Sequence, residues 1–369
     1  MSDVTPGQVL EALRPIIDPD FGKSIVDLGF VKNVKIEGDR VAFAIELTTP
    51  ACPVKAEFER AARERVGALP GVASVDVTMT AETRGQTGSR PQGDVLPGVK
   101  NIIAVASGKG GVGKSTTAVN LALSLRSSGA SVGLMDADVY GPSLPLLLGV
   151  SDRPETVERD GEKRILPLEA HGLRVMSMGF FITENSPVIW RGPMVHGLIR
   201  QFLADVDWGE LDYLVIDLPP GTGDAALTLT QQAPLSGAVI VTTANDLSII
   251  DARRGLKMFE KVGVPVLGIV ENMSYFVPPD LPDRKYYIFG EGGGHRVAEE
   301  LGVPFLGEIP LEPRVVEGGD AGTPIVEHAP ESGAARAFSE LSGSVARGLA
   351  VLASRTPALA DANITWVND

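Results

Sequence analysis

Residues 107–116 read SGKGGVGKST and have the residue types and spacing of a phosphate-binding loop. From Gly108 onward they follow the pattern G-x-x-x-x-G-K-S, in which backbone N–H groups of the loop and of a helix N-terminus face an anion. Lys114 is expected to reach the β- and γ-phosphates of a nucleotide, and the Ser115 hydroxyl is expected to ligate Mg²⁺. The residues predicted to form the phosphate site are Gly108, Lys109, Gly110, Gly111, Val112, Gly113, Lys114, Ser115 and Thr116.

The flanking segments are those that such a loop requires. NIIAVAS (101–107) is a short, apolar and β-branched run that predicts a buried strand. STTAVNLALSLRSSG (115–129) places apolar residues at helical spacing before a terminal glycine. The loop therefore lies at a strand-to-helix corner, and a purely structural glycine turn with this spacing is the weaker interpretation.

Two further strands end in aspartates. SVGLMDADVYGPS (131–143) has Asp136 and Asp138 at its end, and LDYLVIDLPPGTGD (211–224) has Asp217. Carboxylates at the carboxyl ends of parallel strands lie on the same sheet edge as the phosphate loop. We expect Asp217 to hold Mg²⁺ through water and Asp138 to orient an attacking water. The alternative interpretation is that these aspartates are solvated turn residues without a catalytic role. For one isolated aspartate, that interpretation would be the better one.

The base contacts are less defined by the sequence. The N-K-x-D string with which GTP-specific proteins read guanine does not occur. GIVENMSYF (268–276) ends a strand at Asn272, whose amide could contact an adenine edge, and GEIPLEP (307–313) could supply an apolar wall at Pro310. Both could also be ordinary strand-end turns. ATP is therefore the predicted nucleotide.

Composition excludes several classes of protein. The 369 residues are 44% hydrophobic and 22% charged, which fits a globular chain with one large core and a smaller domain. No signal peptide or membrane-length apolar run is evident. A net charge of −14 argues against nucleic-acid and anionic-membrane partners. The single cysteine, Cys52, rules out an intrachain disulfide, and we predict a cytoplasmic protein.

The chain divides at AETRGQTGSRPQGDVLPG (81–98), whose composition is that of a linker. Residues 1–80 show a small α+β pattern of two helices and three strands. After the linker, strands and helices alternate, as in a parallel sheet with helices on both faces. The predicted fold is thus an α/β P-loop NTPase domain (99–355) preceded by a small α+β domain and followed by a tail (356–369).

Six motifs together resemble the Mrp/ApbC family of P-loop ATPases: SGKGGVGKST, DADVYGPS, WRGPM (190–194), DLPPGTGD, ENMSYF and FGEGGG (289–294). The resemblance implies a role in iron–sulfur cluster assembly or transfer, with client or scaffold proteins as partners. Residues 1–80, with LTTPACP (47–53), resemble a small domain of iron–sulfur maturation factors. In the wider group, which includes nitrogenase iron protein, MinD and ParA, an early loop lysine marks dimers that sandwich two ATP molecules. The resemblance thus implies a homodimer in which Lys109 reaches the other subunit's ATP.

The chain departs from this family at one cluster-binding motif. After ENMSYF the family typically has a C-x-x-C pair, whereas this chain reads VPPDLPDRKYYIF (277–289), with Pro278 and Pro279 where the thiolates are expected. Oxygen donors are poor substitutes for thiolate in an iron–sulfur site. The donors in this segment are Asp280, Asp283, Tyr286 and Tyr287. This departure argues against cluster carriage and leaves the ATPase prediction unaffected.

Cys52 allows two interpretations. It lies between a predicted strand end and a helix start, where the helix dipole could lower a thiol pKa and create a reactive site. A free cysteine is equally often a small buried hydrophobe. The resemblance to maturation domains favours the thiol site.

Three functions remain open on the sequence. The first is a dimeric ATPase of iron–sulfur cluster assembly. The second is an ATP-dependent regulatory or adaptor protein that carries no cluster. The third is a positioning ATPase of MinD or ParA type, which should carry a basic amphipathic C-terminal helix or a basic DNA-binding face, whereas this chain ends in the acidic LADANITWVND.

Overall fold

The structure is a computed structural model that describes residues 4–52, 54–83, 85, 96–139, 141–159, 161–181 and 192–355. Most of the predicted linker and all of the predicted tail lie outside these residues, as do Tyr140 and residues 190–191 of the WRGPM motif. The chain forms two compact units, one of residues up to 84 together with 346–355, the other of residues 85–345.

The elements of the first unit, apart from residues 346–355, are α1 (Pro6–Leu13), β1 (Ile17–Asp18), β2 (Lys23–Ser24), β3 (Val31–Glu37), β4 (Arg40–Leu47), α2 (Lys55–Gly67) and β5 (Ser74–Ala81). Thr5 and Gln8 form a capping box at the start of α1. Strand β4 alternates buried and half-buried residues because only one face of the sheet β3-β4-β5 is covered. The core beneath that face includes Phe43, Ile45 and Phe58.

The elements of the second unit are β6 (Val99–Ser107), α3 (Lys114–Ser127), β7 (Val132–Asp136), α4 (Leu144–Leu148), β8 (Thr156–Arg159), β9 (Glu162–Ile165), β10 (Leu168–Ala170), β11 (Leu173–Ser177), α5 (Gly192–Ala204), β12 (Leu211–Asp217), α6 (Asp224–Gln232), β13 (Gly237–Thr242), α7 (Asp246–Lys261), β14 (Val266–Asn272), α8 (Gly293–Leu301), β15 (Phe305–Ile309), α9 (Pro313–Asp320), α10 (Ile325–His328) and most of α11 (Gly333–Arg355). In the described residues no helix is long and apolar enough to cross a membrane.

The large sheet of this unit has the strand order β10-β11-β7-β12-β6-β13-β14-β15. All neighbouring strands are parallel except the edge strand β10, which runs antiparallel to β11. The predicted α/β fold is confirmed. The strict alternation of strands and helices is wrong between residues 156 and 177, where β8 and β9 form a separate antiparallel pair and β10 follows without a helix.

The central strands are buried on both faces, because helices cover the two sides of a parallel sheet. Every residue of β7 and of β13 is buried, and in β6 only Lys100 is exposed. The register aligns Asp217 at the end of β12 with Asp136 at the end of β7 and with Val105 in β6. The carboxyl ends of these strands therefore deliver their polar residues to one edge of the sheet.

At the opposite edge, Asp212 ties three strands together. Its Oδ2 accepts hydrogen bonds from the N–H and hydroxyl groups of Ser131, and its Oδ1 accepts one from Lys100 Nζ, each at 2.9 Å. Burial alone raises the pKa of Asp212, but these hydrogen bonds outweigh it and hold the pKa below its usual value.

Because the pKa of Asp212 is depressed in the folded chain, its stabilising effect exists above the unfolded pKa of about 3.9 and is lost as the pH falls through the folded pKa. We expect Asp212→Asn to lower the free energy of unfolding by about 1–3 kcal/mol at pH values near 7 and by less below about pH 4. Chemical denaturation at several pH values measures this, with the exposed Asp152→Asn as control. An equal loss at every pH would contradict the role of the charge.

Candidate functional site

The phosphate loop joins β6 to α3 and depends on its glycines. Gly111 and Gly113 adopt φ angles of 79° and 81°, a conformation that residues with a Cβ rarely take. Gly113 caps α3, which begins at Lys114. Gly108 packs so tightly against the backbone of Asp251 in α7 that a Cβ would collide there. The predicted strand–loop–helix corner is present, with the N-terminus of α3 at the carboxyl edge of the sheet.

Lys114 turns inward and forms a buried ion pair. Its Nζ lies 2.5 Å from Asp217 Oδ1 and 3.4 Å from the Ser115 hydroxyl oxygen. The side chain of Lys114 is 7% exposed and that of Asp217 is fully buried. The second carboxylate oxygen of Asp217 is buried and has no hydrogen-bond partner among the described residues. Lys114, Ser115 and Asp217, which the sequence predicted as phosphate and metal ligands, therefore lie within contact distance of one lysine ammonium group.

Asp136 is a buried carboxyl group that the sequence-based site did not include. Its oxygens accept hydrogen bonds from the N–H of Asp138 and the hydroxyl of Ser177, both at 3.0 Å. Burial, with the nearby charge of Asp217, raises the pKa of Asp136 to about 7. Burial also raises the pKa of Asp217, and the ammonium group of Lys114 opposes that rise.

Asp138 and Lys109 lie on the two loops at this edge. Asp138 is half-buried, accepts a hydrogen bond from the Gly141 N–H at 3.2 Å, and is close enough to Asp217 for its charge to raise the pKa of that group. Lys109 is half-exposed, and the Ser107 hydroxyl holds its backbone carbonyl at 2.9 Å. Within the described ranges no carboxylate pairs with the Lys109 ammonium group. The two loop lysines thus differ: Lys114 pairs with Asp217 of the same chain, whereas Lys109 pairs with no carboxylate among the described residues.

These residues fit a nucleotide phosphate chain with Mg²⁺. The unpartnered Oδ2 of Asp217 and the nearby Ser115 hydroxyl are the oxygen donors that a hard cation prefers. In the described part of the chain, no group of three or more His, Cys, Asp or Glu side chains could hold a metal ion alone. A metal ion at this edge would therefore need further oxygens from phosphate or water.

Asn272 ends β14, as predicted, and contacts the phosphate loop. It is 7% exposed, and its Nδ2 donates a hydrogen bond to the Val112 carbonyl at 2.9 Å. A Cβ on Gly113 would collide with the same amide group. Pro310 follows β15 at the same sheet edge and is buried. Adenine contacts by Asn272 and Pro310 remain predictions, whereas the observed contact of Asn272 holds the phosphate loop.

If Asn272 acts by holding the phosphate loop, replacing it should weaken nucleotide binding by the same factor whatever the base. We expect Asn272→Ala to weaken the binding of ATP, inosine triphosphate and inorganic tripolyphosphate by a similar factor of about ten, because the Val112 carbonyl loses its buried partner. Calorimetry with the three compounds measures the factors. A loss confined to ATP would instead show that this amide reads the adenine edge.

Glu271 explains the glycine-rich turn before α8. This fully buried carboxylate accepts hydrogen bonds from the Ser274 hydroxyl at 2.6 Å and from the Gly294 N–H at 2.5 Å. Gly293 packs against the Ala244 backbone without room for a Cβ. The start of α8 therefore already holds a carboxyl group of the protein itself, and FGEGGG forms a tight turn into this helix. This contact could not be predicted from the FGEGGG motif, because Glu271 lies 23 positions before Gly294.

Cys52 lies in the first unit and is half-buried against its core. Burial raises the pKa of its thiol, and the carboxylates of Asp18 and Asp20 add to the rise. The sequence had suggested that a helix N-terminus could lower this pKa. That expectation is wrong for this environment, because burial outweighs the hydrogen bond from the Val54 N–H.

Comparison with known families matches both parts of the chain. Residues 98–346 match the family described as NUBPL iron-transfer P-loop NTPase. Residues 7–77 match the family described as iron-sulfur cluster assembly protein. The first match alone covers more than half of the chain.

Individual relatives agree with these families. The chain is 54% identical to an iron-sulfur cluster carrier protein of Synechocystis over 93% of this chain and 97% of that protein. It is 51% identical to a chloroplastic Fe-S cluster assembly factor of Arabidopsis thaliana over 90% of this chain and 62% of that protein.

Among solved structures, a nucleotide-binding protein of Archaeoglobus fulgidus in complex with ADP is 40% identical, with a TM-score of 0.54 over 62% of this chain and 89% of that one. The cell division ATPase MinD of Pyrococcus furiosus is 25% identical, with a TM-score of 0.50 over 66% of this chain and 98% of that one. The predicted family is confirmed: the chain belongs to the NUBPL iron-transfer P-loop NTPases and carries an iron-sulfur cluster assembly domain ahead of the NTPase domain.

Proposed function

We propose that this chain binds and hydrolyses ATP in a Mg²⁺-dependent reaction, as a homodimer, and acts in iron–sulfur cluster assembly or transfer. The observation that carries the ATPase is the buried pair of Lys114 and Asp217 beside the Ser115 hydroxyl at the end of the phosphate loop. The cluster function is supported by the relatives, one named a cluster carrier and another a cluster assembly factor. A cytoplasmic location stays a prediction of the sequence.

In the proposed reaction each residue has a separate task. The N–H groups at the start of α3 and the ammonium group of Lys114 hold the phosphates. Ser115 and the free oxygen of Asp217 hold Mg²⁺, which neutralises phosphate charge when it is bound. Asp138 orients the attacking water, and Asp136 fixes Asp138 through its backbone N–H. Lys109 reaches the nucleotide of the second subunit and stabilises charge there, as an arginine finger does.

The cluster itself is cargo, and this chain offers few ligands for it. A symmetric dimer has two thiols, both Cys52, since the chain has one cysteine. Burial keeps that thiol protonated more strongly than usual, which disfavours the thiolate that iron requires. Pro278 and Pro279 stand in place of the C-x-x-C pair. Four-cysteine ligation therefore needs thiols from a client or a small molecule.

We expect the isolated protein to hold at most a labile, substoichiometric cluster. Cys52→Ser should remove that cluster and leave ATP hydrolysis largely unchanged, because Cys52 belongs to the first compact unit and the phosphate loop to the second. Anaerobic reconstitution followed by absorbance and iron analysis measures the first effect, and phosphate release measures the second. A stable four-iron cluster, one per dimer, that persists in Cys52→Ser would contradict the expectation.

Transfer to an acceptor tests the function as a whole. The reconstituted protein is mixed anaerobically with an apo-ferredoxin and thiol, and the circular dichroism of the acceptor's cluster reports the rate. We expect ATP with Mg²⁺ to change that rate in the wild type and not in a Lys114→Met variant. ATP hydrolysis without any cluster binding or transfer would favour the regulatory or adaptor alternative.

A further inference from the structure

The turn between β10 and β11 contains a histidine with a left-handed backbone conformation. Ala170 pairs with Leu173 across this two-residue turn, and its two residues, His171 and Gly172, have φ angles of 48° and 73°. Turns in which both central residues have a positive φ favour asparagine followed by glycine. The presence of histidine in place of asparagine points to a role of its longer side chain.

The imidazole of His171 connects the end of α4 to the turn after α9. Its Nε2 lies 3.3 Å from the Leu148 carbonyl oxygen and 3.0 Å from the Gly322 carbonyl oxygen. Carbonyl oxygens only accept hydrogen bonds, so this nitrogen carries a proton and donates to both. Leu148 is the last residue of α4, where a carbonyl has no partner within the helix. His171 supplies the donor that this helix end needs.

The backbones at these two places are in direct contact. Gly149, which follows α4, and Gly322 have φ angles of 64° and 70°. A Cβ on Gly322 would collide with the backbone of Gly149, so only glycine permits this approach. Because His171 bonds to both sides of the contact, neither side can move away without breaking a hydrogen bond of the imidazole.

The other end of α4 reaches a carboxyl group of the candidate site. Asp136 Oδ2 accepts a hydrogen bond at 3.4 Å from the N–H of Leu144, the first residue of α4. The same oxygen accepts a hydrogen bond at 3.0 Å from the hydroxyl of Ser177, the last residue of β11. Since β11 begins directly after the His171 turn, α4 and β11 are joined twice, once at Asp136 and once at His171.

We call this closed arrangement of α4, β11, Asp136 and His171 the histidine frame. Asp138 is attached to it, because its backbone N–H donates a hydrogen bond to Asp136 Oδ1 at 3.0 Å. A helix of only five residues has few internal hydrogen bonds, so the position of α4 depends on the partners at its two ends. The imidazole is one of these partners, and it therefore bears on where Asp138 lies.

We propose that His171 is a positioning residue for ATP hydrolysis, whose Nε2 donor closes the histidine frame and thereby places Asp138 against the phosphates. The proposal rests on the proposed function, because Asp138 is the residue proposed to orient the attacking water. His171 acts through Asp136 and Asp138 and not by contact with the nucleotide.

Two substitutions of His171 separate the role of its side chain from that of the turn. Glutamine places an amide nitrogen close to the position of the histidine Nε2 and keeps a donor for the two carbonyls. Asparagine is too short to reach them, but it suits the positive φ better. We expect His171→Asn to lower kcat about tenfold without changing ATP affinity, because a displaced Asp138 affects the reaction and not the binding of the phosphates. His171→Gln should keep a kcat close to that of the wild type.

Steady-state phosphate release gives kcat, and calorimetry gives the affinity for ATP. His328→Asn removes an exposed histidine at the end of α10 and is the matched control, which should change neither quantity. A normal kcat in His171→Asn together with a loss in His171→Gln would show that only the turn conformation matters, and the proposal would be overturned. An equal loss of kcat and ATP affinity in His171→Asn would overturn it as well.

A second substitution shows whether His171 acts through Asp138. In an Asp138→Ala background, His171→Asn should cause no further loss of the residual hydrolysis, since the carboxylate that it positions is already gone. A further loss of the same size as in the wild-type background would mean that His171 acts independently of Asp138, contrary to the proposal.

Hydrogen exchange measured without nucleotide tests the frame apart from any reaction. The amide protons of Asp138 and Leu144 are both bonded to Asp136. We expect them to exchange at least about fivefold faster in His171→Asn than in the wild type or in His171→Gln, because an open frame lets both bonds break more often. Equal exchange in all three proteins overturns the proposal. A wild type that hydrolyses no ATP overturns the proposed function instead, and the exchange rates still decide whether His171 closes the frame.

Discussion

Replacing Lys109 by alanine is expected to slow ATP hydrolysis by about 10³-fold and to abolish nucleotide-dependent dimerisation, with little change in the first ATP-binding event. The structure supports this separation because Lys109 has no carboxylate partner among the described residues, whereas Lys114 is committed to Asp217. A cation that acts on the other subunit's phosphates stabilises charge in the transition state without contributing to binding by its own subunit. Phosphate release and calorimetry measure the two effects.

Mixing variants shows in which subunit Lys109 acts. Lys109→Ala subunits retain Asp138, and Asp138→Ala subunits retain Lys109, so a mixed dimer has one complete site if Lys109 acts across the interface. Activity should therefore reappear in the mixture although neither variant is active alone. No recovery at any ratio, with mixed dimers shown to form, would place the action of Lys109 within its own subunit.

Lys114→Met should have the largest effect on binding, a loss of ATP affinity of at least about 100-fold. The reason is that Lys114 is proposed to pair with the phosphates in a buried site, and removing one member of such a charge pair costs several kcal/mol. The same change should also destabilise the nucleotide-free chain by about 3–5 kcal/mol, since Asp217 is left buried without its cation. Calorimetry reports the affinity, and chemical denaturation reports the stability. ATP binding like that of the wild type would contradict the assignment of the loop.

The double variant Lys114→Met/Asp217→Asn separates the two effects. It removes the uncompensated charge, so stability should largely return while ATP affinity stays low. Lys261→Met removes an exposed lysine from the end of α7 and should change neither quantity. If the double variant regained ATP affinity, the loss in the single variant would be one of folding and not of phosphate contact.

The sequence predicted what lies within one contiguous motif. The loop glycines, Lys114 and Ser115 are adjacent in the chain, so their spacing and flanking segments predicted the strand–loop–helix corner that the structure shows. The strand-end aspartates also followed from pattern, because a parallel sheet gathers its carboxyl ends at one edge. The observed register of Asp217 with Asp136 agrees with that argument.

Contacts between distant segments could not be predicted in this way. Ser177 reaches Asp136 because β11 lies beside β7, a neighbour relation that no local pattern contains. Asn272 meets the Val112 carbonyl across 160 positions. The raised pKa of Cys52 likewise depends on burial by the surrounding core, which the sequence alone did not weigh correctly.

The ion pair between Lys114 and Asp217 also bears on the order in which a metal ion and a nucleotide bind. In the structure each of these side chains serves as the counter-ion of the other, so their two charges balance. Under the proposed function, Lys114 balances the charge of Asp217 until it exchanges Oδ1 for phosphate oxygens, and the full charge of Asp217 then faces the cation at Oδ2. If the proposed site is correct, we expect the metal and the nucleotide to bind together as one complex, and free magnesium to bind weakly before the nucleotide.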